Sequence, residues 1–112
     1  MRIAIPLADG RLCMHFGHCE NFALVDCDPA AKTIVKSDTI AAPAHEPGLL
    51  PRWLAERGAT VIIAGGMGSR AQGLFAQSGI AVVTGAQGGT LEQIVTAYLN
   101  GSLVTGANAC DH

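Results

Sequence analysis

The second half of the sequence alternates short apolar runs with helical patterns, and this order constrains the fold more than any other feature. Residues 60–64 (Thr-Val-Ile-Ile-Ala) and 80–84 (Ile-Ala-Val-Val-Thr) are such runs, which are typical of strands covered on both faces. Helical patterns precede, separate and follow them. Because a helix that joins neighbouring strands of one sheet leaves them pointing the same way, this half of the chain predicts parallel strands.

Three segments have helical features with recognisable ends. We expect the first helix to begin near Gly48 and end at Gly58, and the second to end at Gly79, since glycine is favoured just beyond a helix. The third begins with a capping box over residues 90–93 and ends at Gly101. Its apolar residues fall at helical spacing and are Leu91, Ile94, Val95, Tyr98 and Leu99.

The first 40 residues carry strand patterns instead, over residues 1–7, 21–27 and 33–40. We expect the first strand to end at Pro6 and the turn that follows it. Strands in this order can meander antiparallel, so the whole chain predicts an α/β fold with a single mixed five-stranded sheet and flanking helices. Residues 1–112 are expected to form one domain, because this length suffices for one modest core and not for two.

The charge and hydropathy of the chain count against several classes of protein. With a formal net charge of −2 and no basic run, nothing in the sequence favours nucleic-acid binding. No apolar run approaches the roughly 20 residues of a membrane span, and the N-terminal residues resemble a strand and not a signal peptide. We therefore expect a cytoplasmic protein without a membrane or nucleic-acid partner, with its four cysteines reduced. The sequence leaves the oligomeric state open.

Residues 13–19 (Cys-Met-His-Phe-Gly-His-Cys) form the densest group of chemically active side chains. Cys13, His15, His18 and Cys19 are thiols and imidazoles, the side chains that bind zinc, copper or iron–sulfur clusters. A loop with solvated histidines and inert thiols is the plainer interpretation. Four donors within seven residues, which need little chain entropy to bring together, favour a site for a metal or a cluster.

A second Cys-x-His group stands at the end of the chain. Cys110 and His112 would bring the number of donors to six if the C-terminal segment folded back onto the 13–19 stretch. Chain termini are usually frayed and without function, so this contact is a hypothesis. The sequence also leaves open whether Cys27 and His45 take part.

A glycine-rich connection joins a predicted strand to the second predicted helix. Backbone N–H groups at a helix N-terminus bind anions, so Gly66, Met67, Gly68 and Ser69 are candidate contacts for an anionic ligand or cluster. The segment lacks the lysine of a phosphate-binding loop and the third glycine of a dinucleotide fingerprint. A tight turn without a ligand is the alternative interpretation.

Several short motifs together resemble a known family, the small proteins of dinitrogenase iron–molybdenum cofactor biosynthesis, which also includes a molybdenum–copper cluster protein. The motifs cover nearly the whole chain and lie at residues 2–6, 15–17 with Phe22, 66–71, 89–92 and 98–103. The resemblance implies a ribonuclease H-like sheet without ribonuclease activity. It also implies a carrier or store of a metal–sulfur cluster or its precursor, not an enzyme.

The resemblance further implies a cluster of molybdenum with iron or copper, and partners among metallocofactor assembly or acceptor proteins. Many members of the family lack Cys13 and Cys19, and the C-terminal Cys-x-His group is not general. Extra thiolates would also suit a zinc or copper ion in a regulatory module. A different class of function would be an enzyme that acts on a small anionic substrate at the 65–68 loop, with His15 or His45 as general base. The sequence shows no matching acid–base group, so we favour the cluster carrier.

Overall fold

The computed structural model describes residues 1–8, 11–13, 19–43, 48–86, 90–103 and 105–106. Within these ranges the chain forms six strands and three helices. In chain order they are β1 (Arg2–Ala8), β2 (Arg11–Leu12), β3 (Asn21–Asp28), β4 (Thr33–Ala41), α1 (Leu49–Glu56), β5 (Val61–Ile63), α2 (Ser69–Gln77), β6 (Ala81–Val83) and α3 (Leu91–Leu99).

β1 lies in the middle of a mixed sheet whose strands follow the order β4-β3-β1-β5-β6. β3 pairs antiparallel with both β1 and β4. β5 runs parallel to β1, and β6 runs parallel to β5. The mixed α/β sheet is therefore confirmed, with the parallel strands in the half of the chain where the sequence predicts them.

The prediction of five strands is wrong, because a sixth strand, β2, pairs antiparallel with the end of β1. In this short pairing Leu12 lies opposite Leu7, and two residues are too few to show the alternation by which a strand is recognised. β1 also continues beyond Pro6, where the sequence predicts its end. The proline is tolerated here because the pairing with β5 is made by Ile3 and Ala4 and has ended before Pro6.

Different helices cover the two faces of the sheet. On one face, Val95 of α3 joins an apolar cluster that includes Ile3 of β1. On the other face, Leu54 of α1 and Phe75 of α2 join a second apolar cluster that includes Ile62 of β5. Each face thus has its own core, as expected for a sheet with apolar residues on both sides.

The helix ends agree with the sequence patterns. The capping box of α3 is confirmed: Thr90 Oγ1 accepts from the N–H of Gln93 at 3.1 Å, and Gln93 Oε1 accepts from the N–H of Thr90 at 3.0 Å. α1 follows Gly48, whose φ of 78° favours glycine. Within the described ranges no helix is long and apolar enough to cross a membrane. The ribonuclease H-like assignment stays a prediction.

Three connections leave the sheet at the same end. β1, β5 and β6 run in one direction, so their carboxyl ends lie together, and we call this the carboxyl end of the sheet. The chain leaves it from β1 toward residues 13–19, from β5 toward the glycine-rich residues 65–68, and from β6 toward residues 84–86. Ligands of open α/β sheets bind outside the carboxyl ends of the strands, so this end is where a site is expected.

Candidate functional site

Cys13 and Cys19 belong to segments that are anchored on opposite sides of β1 at the carboxyl end of the sheet. The N–H of Cys13 donates to the carbonyl of Pro6 at 2.9 Å, and the N–H of Glu20 donates to the carbonyl of Leu7 at 2.8 Å. Carbonyls of consecutive strand residues point to opposite neighbours, so the two segments flank the strand. Cys13 is buried, with 5% of its surface exposed, and Cys19 is half-buried.

The environment of the Cys19 thiol disfavours its ionised form. Burial, and to a smaller extent the negative charge of an ionised Cys13, raise the pKa of the Cys19 thiol to about 11, although a backbone hydrogen bond lowers it. At neutral pH Cys19 therefore holds its proton. A metal cation beside both sulfur atoms would replace this repulsion by attraction and displace the proton, as it does at coordinating thiols in general.

The glycine-rich loop at the end of β5 is held from the inside by Met67. The Met67 side chain is fully buried, in the same apolar cluster as Phe75. Its carbonyl accepts a hydrogen bond from Gln72 Nε2 at 2.9 Å, which ties the loop to α2. Gly66 is buried as well, whereas Gly68 and Ser69 are exposed. The first part of the loop is therefore buried, and the part next to α2 is exposed.

Three backbone N–H groups of this loop donate to no acceptor in the described part of the chain. Among the described residues, the N–H groups of Gly66, Gly68 and Ser69 donate no hydrogen bond. The first N–H groups of a helix lack partners within the helix, which accounts for Ser69 at the start of α2. Buried backbone donors are almost always paired, so an N–H without a described acceptor is unusual at the buried Gly66. The anion-contacting role that the sequence suggests for this loop stays a prediction.

The C-terminal segment reaches the same end of the sheet. Thr105 forms an isolated antiparallel bridge with Ala86. The N–H of Gly106 donates to the carbonyl of Gly85 at 2.7 Å, and the N–H of Gly85 donates to the carbonyl of Gly65 at 3.0 Å. A chain of hydrogen bonds thus joins the C-terminal segment to the glycine-rich loop. This contact could not be predicted from the sequence, because Gly106 follows Gly85 by 21 positions and no local pattern connects them.

The structure describes only part of the predicted ligand set. The remaining predicted ligands lie outside the described residues and are His15, His18, Cys110 and His112. In the part of the chain that is described, no group of three or more His, Cys, Asp or Glu side chains comes together in a way that could hold a metal ion. The described chain therefore offers a pair of thiols and a set of amides.

Cys27 lies at the opposite end of the sheet. Its N–H donates to the carbonyl of Met1 at 2.8 Å, and the antiparallel register of β1 and β3 places its neighbour Asp26 opposite Arg2. The thiol is buried, and this burial raises its pKa. Cys27 is thus separated from the site by the length of β1, whereas His45 lies outside the described residues.

Known proteins resemble the chain over nearly all of its length. The dinitrogenase iron-molybdenum cofactor family matches residues 1–101. The uncharacterized protein MJ0580 of Methanocaldococcus jannaschii is 32% identical over 107 residues, which are 92% of this chain and 89% of that protein. The crystal structure of PH0822 has a TM-score of 0.85 and 31% identity, with 94% of each chain covered.

A third comparison is with the apo form of the orange protein from Desulfovibrio gigas. It has a TM-score of 0.72 and 28% identity, over 96% of this chain and 93% of that one. The family match includes both cysteines of the 13–19 stretch and the glycine-rich loop, and it ends before Cys110 and His112.

Proposed function

We propose that this chain, which belongs to the dinitrogenase iron-molybdenum cofactor family, binds and carries a metal–sulfur cluster or its precursor during metallocofactor assembly. The proposed cargo is an anionic metal–sulfide species of molybdenum with iron or copper, received from and passed to assembly or acceptor proteins. One observation carries the proposal. Two cysteine segments and a loop with acceptor-free N–H groups converge on the carboxyl end of the sheet.

The described residues bring two thiols to this site, those of Cys13 and Cys19. A metal–sulfide species brings most of its own ligands, so two thiols at its edge are enough to fix it. The cysteine segments flank β1, so a species with several atoms could contact both of them.

In the proposal, the glycine-rich loop contacts the cluster through hydrogen bonds, in addition to the thiols that bind its metal. Inorganic sulfide and oxide atoms are hydrogen-bond acceptors, and backbone N–H groups arranged in a concave loop bind anionic clusters. Gly66, Gly68 and Ser69 offer such donors, and the buried Met67 side chain anchors the loop in the core beneath them. The amides would hold the cargo by its charge, while the thiols would hold it through a metal.

The remaining predicted ligands enter as part of the same proposal. His15 and His18 belong to the segment between the two cysteines, and Cys110 and His112 follow the last described residue, Gly106. We assign all four to the cargo site as further ligands. Thiols and imidazoles are soft or borderline ligands, so a site with several of them suits a thiophilic metal such as copper better than a hard cation.

Carriage and not catalysis is the role we propose for the thiols. A nucleophilic cysteine needs a lowered pKa, because the thiolate is the reactive form. Burial and the neighbouring thiol raise the pKa of Cys19 to about 11, which suppresses nucleophilic attack at neutral pH. The same thiol still binds a metal, since the metal displaces the proton.

Reconstitution with defined metal sulfides tests the proposal. Reduced protein is incubated without oxygen with tetrathiomolybdate and Cu(I), or with tetrathiomolybdate and Fe(II), desalted, and assayed for metals and for sulfide. Cys13→Ser and Cys19→Ser should each retain roughly 10-fold less metal, by analogy with the loss of ligand-shell contacts.

Cys27→Ser is the matched control, because Cys27 is also buried but lies at the other end of the sheet. It should retain the wild-type amount of metal. Equal retention by all three variants would refute the assignment of the site. Binding of zinc without sulfide, at one ion per chain, would favour a zinc module over a cluster carrier.

A further inference from the structure

The outer edge of β4 is long and exposed. β4 stands last in the strand order, with β3 on one side, and no strand of the described ranges pairs with its other side. It has nine residues, of which residues 35–39 are all exposed, whereas β6 at the opposite edge of the sheet has three. Native sheets usually keep their edges short or block them with charges. An edge of this length is a candidate for pairing with a strand of another chain.

The backbone groups that such a strand would meet belong to Ser37 and Thr39. The N–H of Ala42, the residue after β4, donates to the carbonyl of Glu20 on the side of β3. In an antiparallel strand the backbone groups of successive residues point alternately toward and away from one neighbour. The register with β3 is regular over residues 36–41, so the N–H and C=O groups of Ser37 and Thr39 point away from β3.

Charged side chains alternate in sign across the sheet toward this edge. Arg2 of β1 lies opposite Asp26 of β3, and Asp26 lies opposite Lys36 of β4. Arg2 and Asp26 form an ion pair, with Nε and Oδ1 2.6 Å apart. Lys36 also lies close to Asp38 of its own strand, with Nζ and Oδ2 3.3 Å apart. The row ends at the exposed Lys36, so a carboxylate on a further strand would continue the alternation.

We propose that β4 pairs antiparallel with β4 of a second copy of this chain, about a two-fold axis through Ser37, and that the two sheets become continuous. In this register Ser37 of each copy hydrogen-bonds to Ser37 of the other copy. Lys36 of each copy then lies opposite Asp38 of the other, because a two-fold axis makes every contact twice. The edge thus supplies to its own copy the carboxylate that continues the row of charges.

The charges of β4 select this register over its neighbours. An axis through residue 36 or residue 38 would place two like charges opposite each other, which is destabilising. An axis through residue 39 would place Asp38 opposite the apolar Ile40. Only the axis through Ser37 combines opposite charges with backbone groups that point toward the second copy.

Val35 gives the second copy an apolar contact and also limits the interface. Its side chain is 71% exposed, and in the proposed register it approaches Thr39 of the other copy, so association would remove apolar surface from water. The register with β3 shifts next to Val35, so we expect the regular pairing to end there. The interface is therefore small, and small interfaces are weak and transient. Because the strands pair antiparallel, the carboxyl ends of the two sheets point in opposite directions, and both cargo sites stay accessible.

Sedimentation equilibrium of reduced, metal-free protein over about 10 µM to 1 mM measures this association in the range expected of a weak interface. Wild-type protein should form dimers, and the N–H of Ser37 should exchange more slowly with solvent as the concentration rises. Asp38→Lys turns two attractive cross-strand pairs into two repulsive ones and should raise the dissociation constant roughly 10-fold. Adding Lys36→Asp to that variant restores opposite charges and should restore dimerisation.

Two further variants separate the edge from general effects of charge and folding. Glu56→Lys is the matched control, because it makes the same change of charge at an exposed position of α1, and it should leave the dissociation constant unchanged. Ser37→Pro changes no charge. Since the N–H of Ser37 points away from β3, proline removes no hydrogen bond within the sheet and is tolerated at an edge. It removes both central hydrogen bonds of the dimer and should also weaken association roughly 10-fold.

The urea midpoint of each variant shows that it is folded. Wild-type protein that stays monomeric at about 1 mM, where even weak interfaces form, would overturn the inference. Dimers that persist unchanged in both Asp38→Lys and Ser37→Pro would place the contact elsewhere and overturn it as well. Equal weakening by Glu56→Lys and Asp38→Lys would assign the effect to net charge, with the same consequence. Since the protein is free of metal, none of these outcomes depends on the proposed cargo.

Discussion

Replacing Met67 by alanine should loosen the glycine-rich loop at a cost that the structure allows us to estimate. The side chain is fully buried in the cluster with Phe75 and Leu54. Burial of such a side chain contributes about 1.5–3 kcal/mol, and the residual cavity brings the usual cost of Met→Ala to about 2–5 kcal/mol. Because the adjacent Gly68 and Ser69 are exposed, the loop can partly collapse into the space. We therefore expect a loss of about 2–3 kcal/mol in the free energy of unfolding.

Urea denaturation followed by fluorescence measures this loss. Trp53 is the one tryptophan of the chain and lies 5.8 Å from Phe22, centroid to centroid, in the same cluster. A loss of about 2–3 kcal/mol moves the urea midpoint down by roughly 1–2 M. Met67→Leu conserves the volume and should cost less than about 1.5 kcal/mol. A Met67→Ala protein within about 0.5 kcal/mol of the wild type would refute the claim that Met67 anchors the loop.

Three further outcomes follow from single contacts. Thr90→Ala removes the capping box of α3 and should lower the free energy of unfolding by about 1 kcal/mol in the same urea assay. The hydrogen bond from Arg2 holds the pKa of Asp26 below its usual range. The ionised Asp26 therefore stabilises the fold above the pKa of the unfolded chain, and this stabilisation is lost as pH falls through the lower pKa of the folded protein. The urea midpoint of Asp26→Asn should consequently fall less on acidification than that of the wild type. Binding of the coloured molybdenum–copper sulfide should quench Trp53 fluorescence, because Cys19 packs against the same apolar cluster as Trp53; unchanged emission on saturation would place the complex elsewhere.

The parts of the fold that depend on contacts between neighbouring residues could be predicted from local sequence patterns. The capping box of α3 is complete within residues 90–93, and its side chains meet each other as the sequence indicates. The continuous apolar run at β5 predicts a strand that is buried on both faces, and the structure agrees: Val61 and Ile63 pack in the cluster with α3, and Ile62 packs in the cluster with α1 and α2. β2 could not be predicted, because its pairing depends on where β1 ends and not on the composition of β2 itself.

In the candidate site, too, features that depend on neighbouring residues could be predicted, whereas features that depend on distant contacts could not. Cys13 and Cys19 are close in sequence, so their density already indicates a site, but the burial of Cys13 depends on β2 turning back along β1. Cys27 resembles them in chemistry and is excluded only by the antiparallel register of β3. The contact of Gly85 with Gly106 arises between distant segments, so glycine content alone does not reveal it.

The metal and sulfide content of the isolated protein tests most directly whether it carries a cluster. Protein purified without oxygen from cells supplied with molybdenum, iron and copper is assayed for each metal and for acid-labile sulfide, beside a variant that carries both Cys13→Ser and Cys19→Ser. We expect molybdenum with iron or copper, together with sulfide, in the wild type, and roughly 10-fold less of each in the variant. Wild-type protein that contains neither molybdenum nor sulfide, or that contains the same amounts as the variant, would contradict the proposed function.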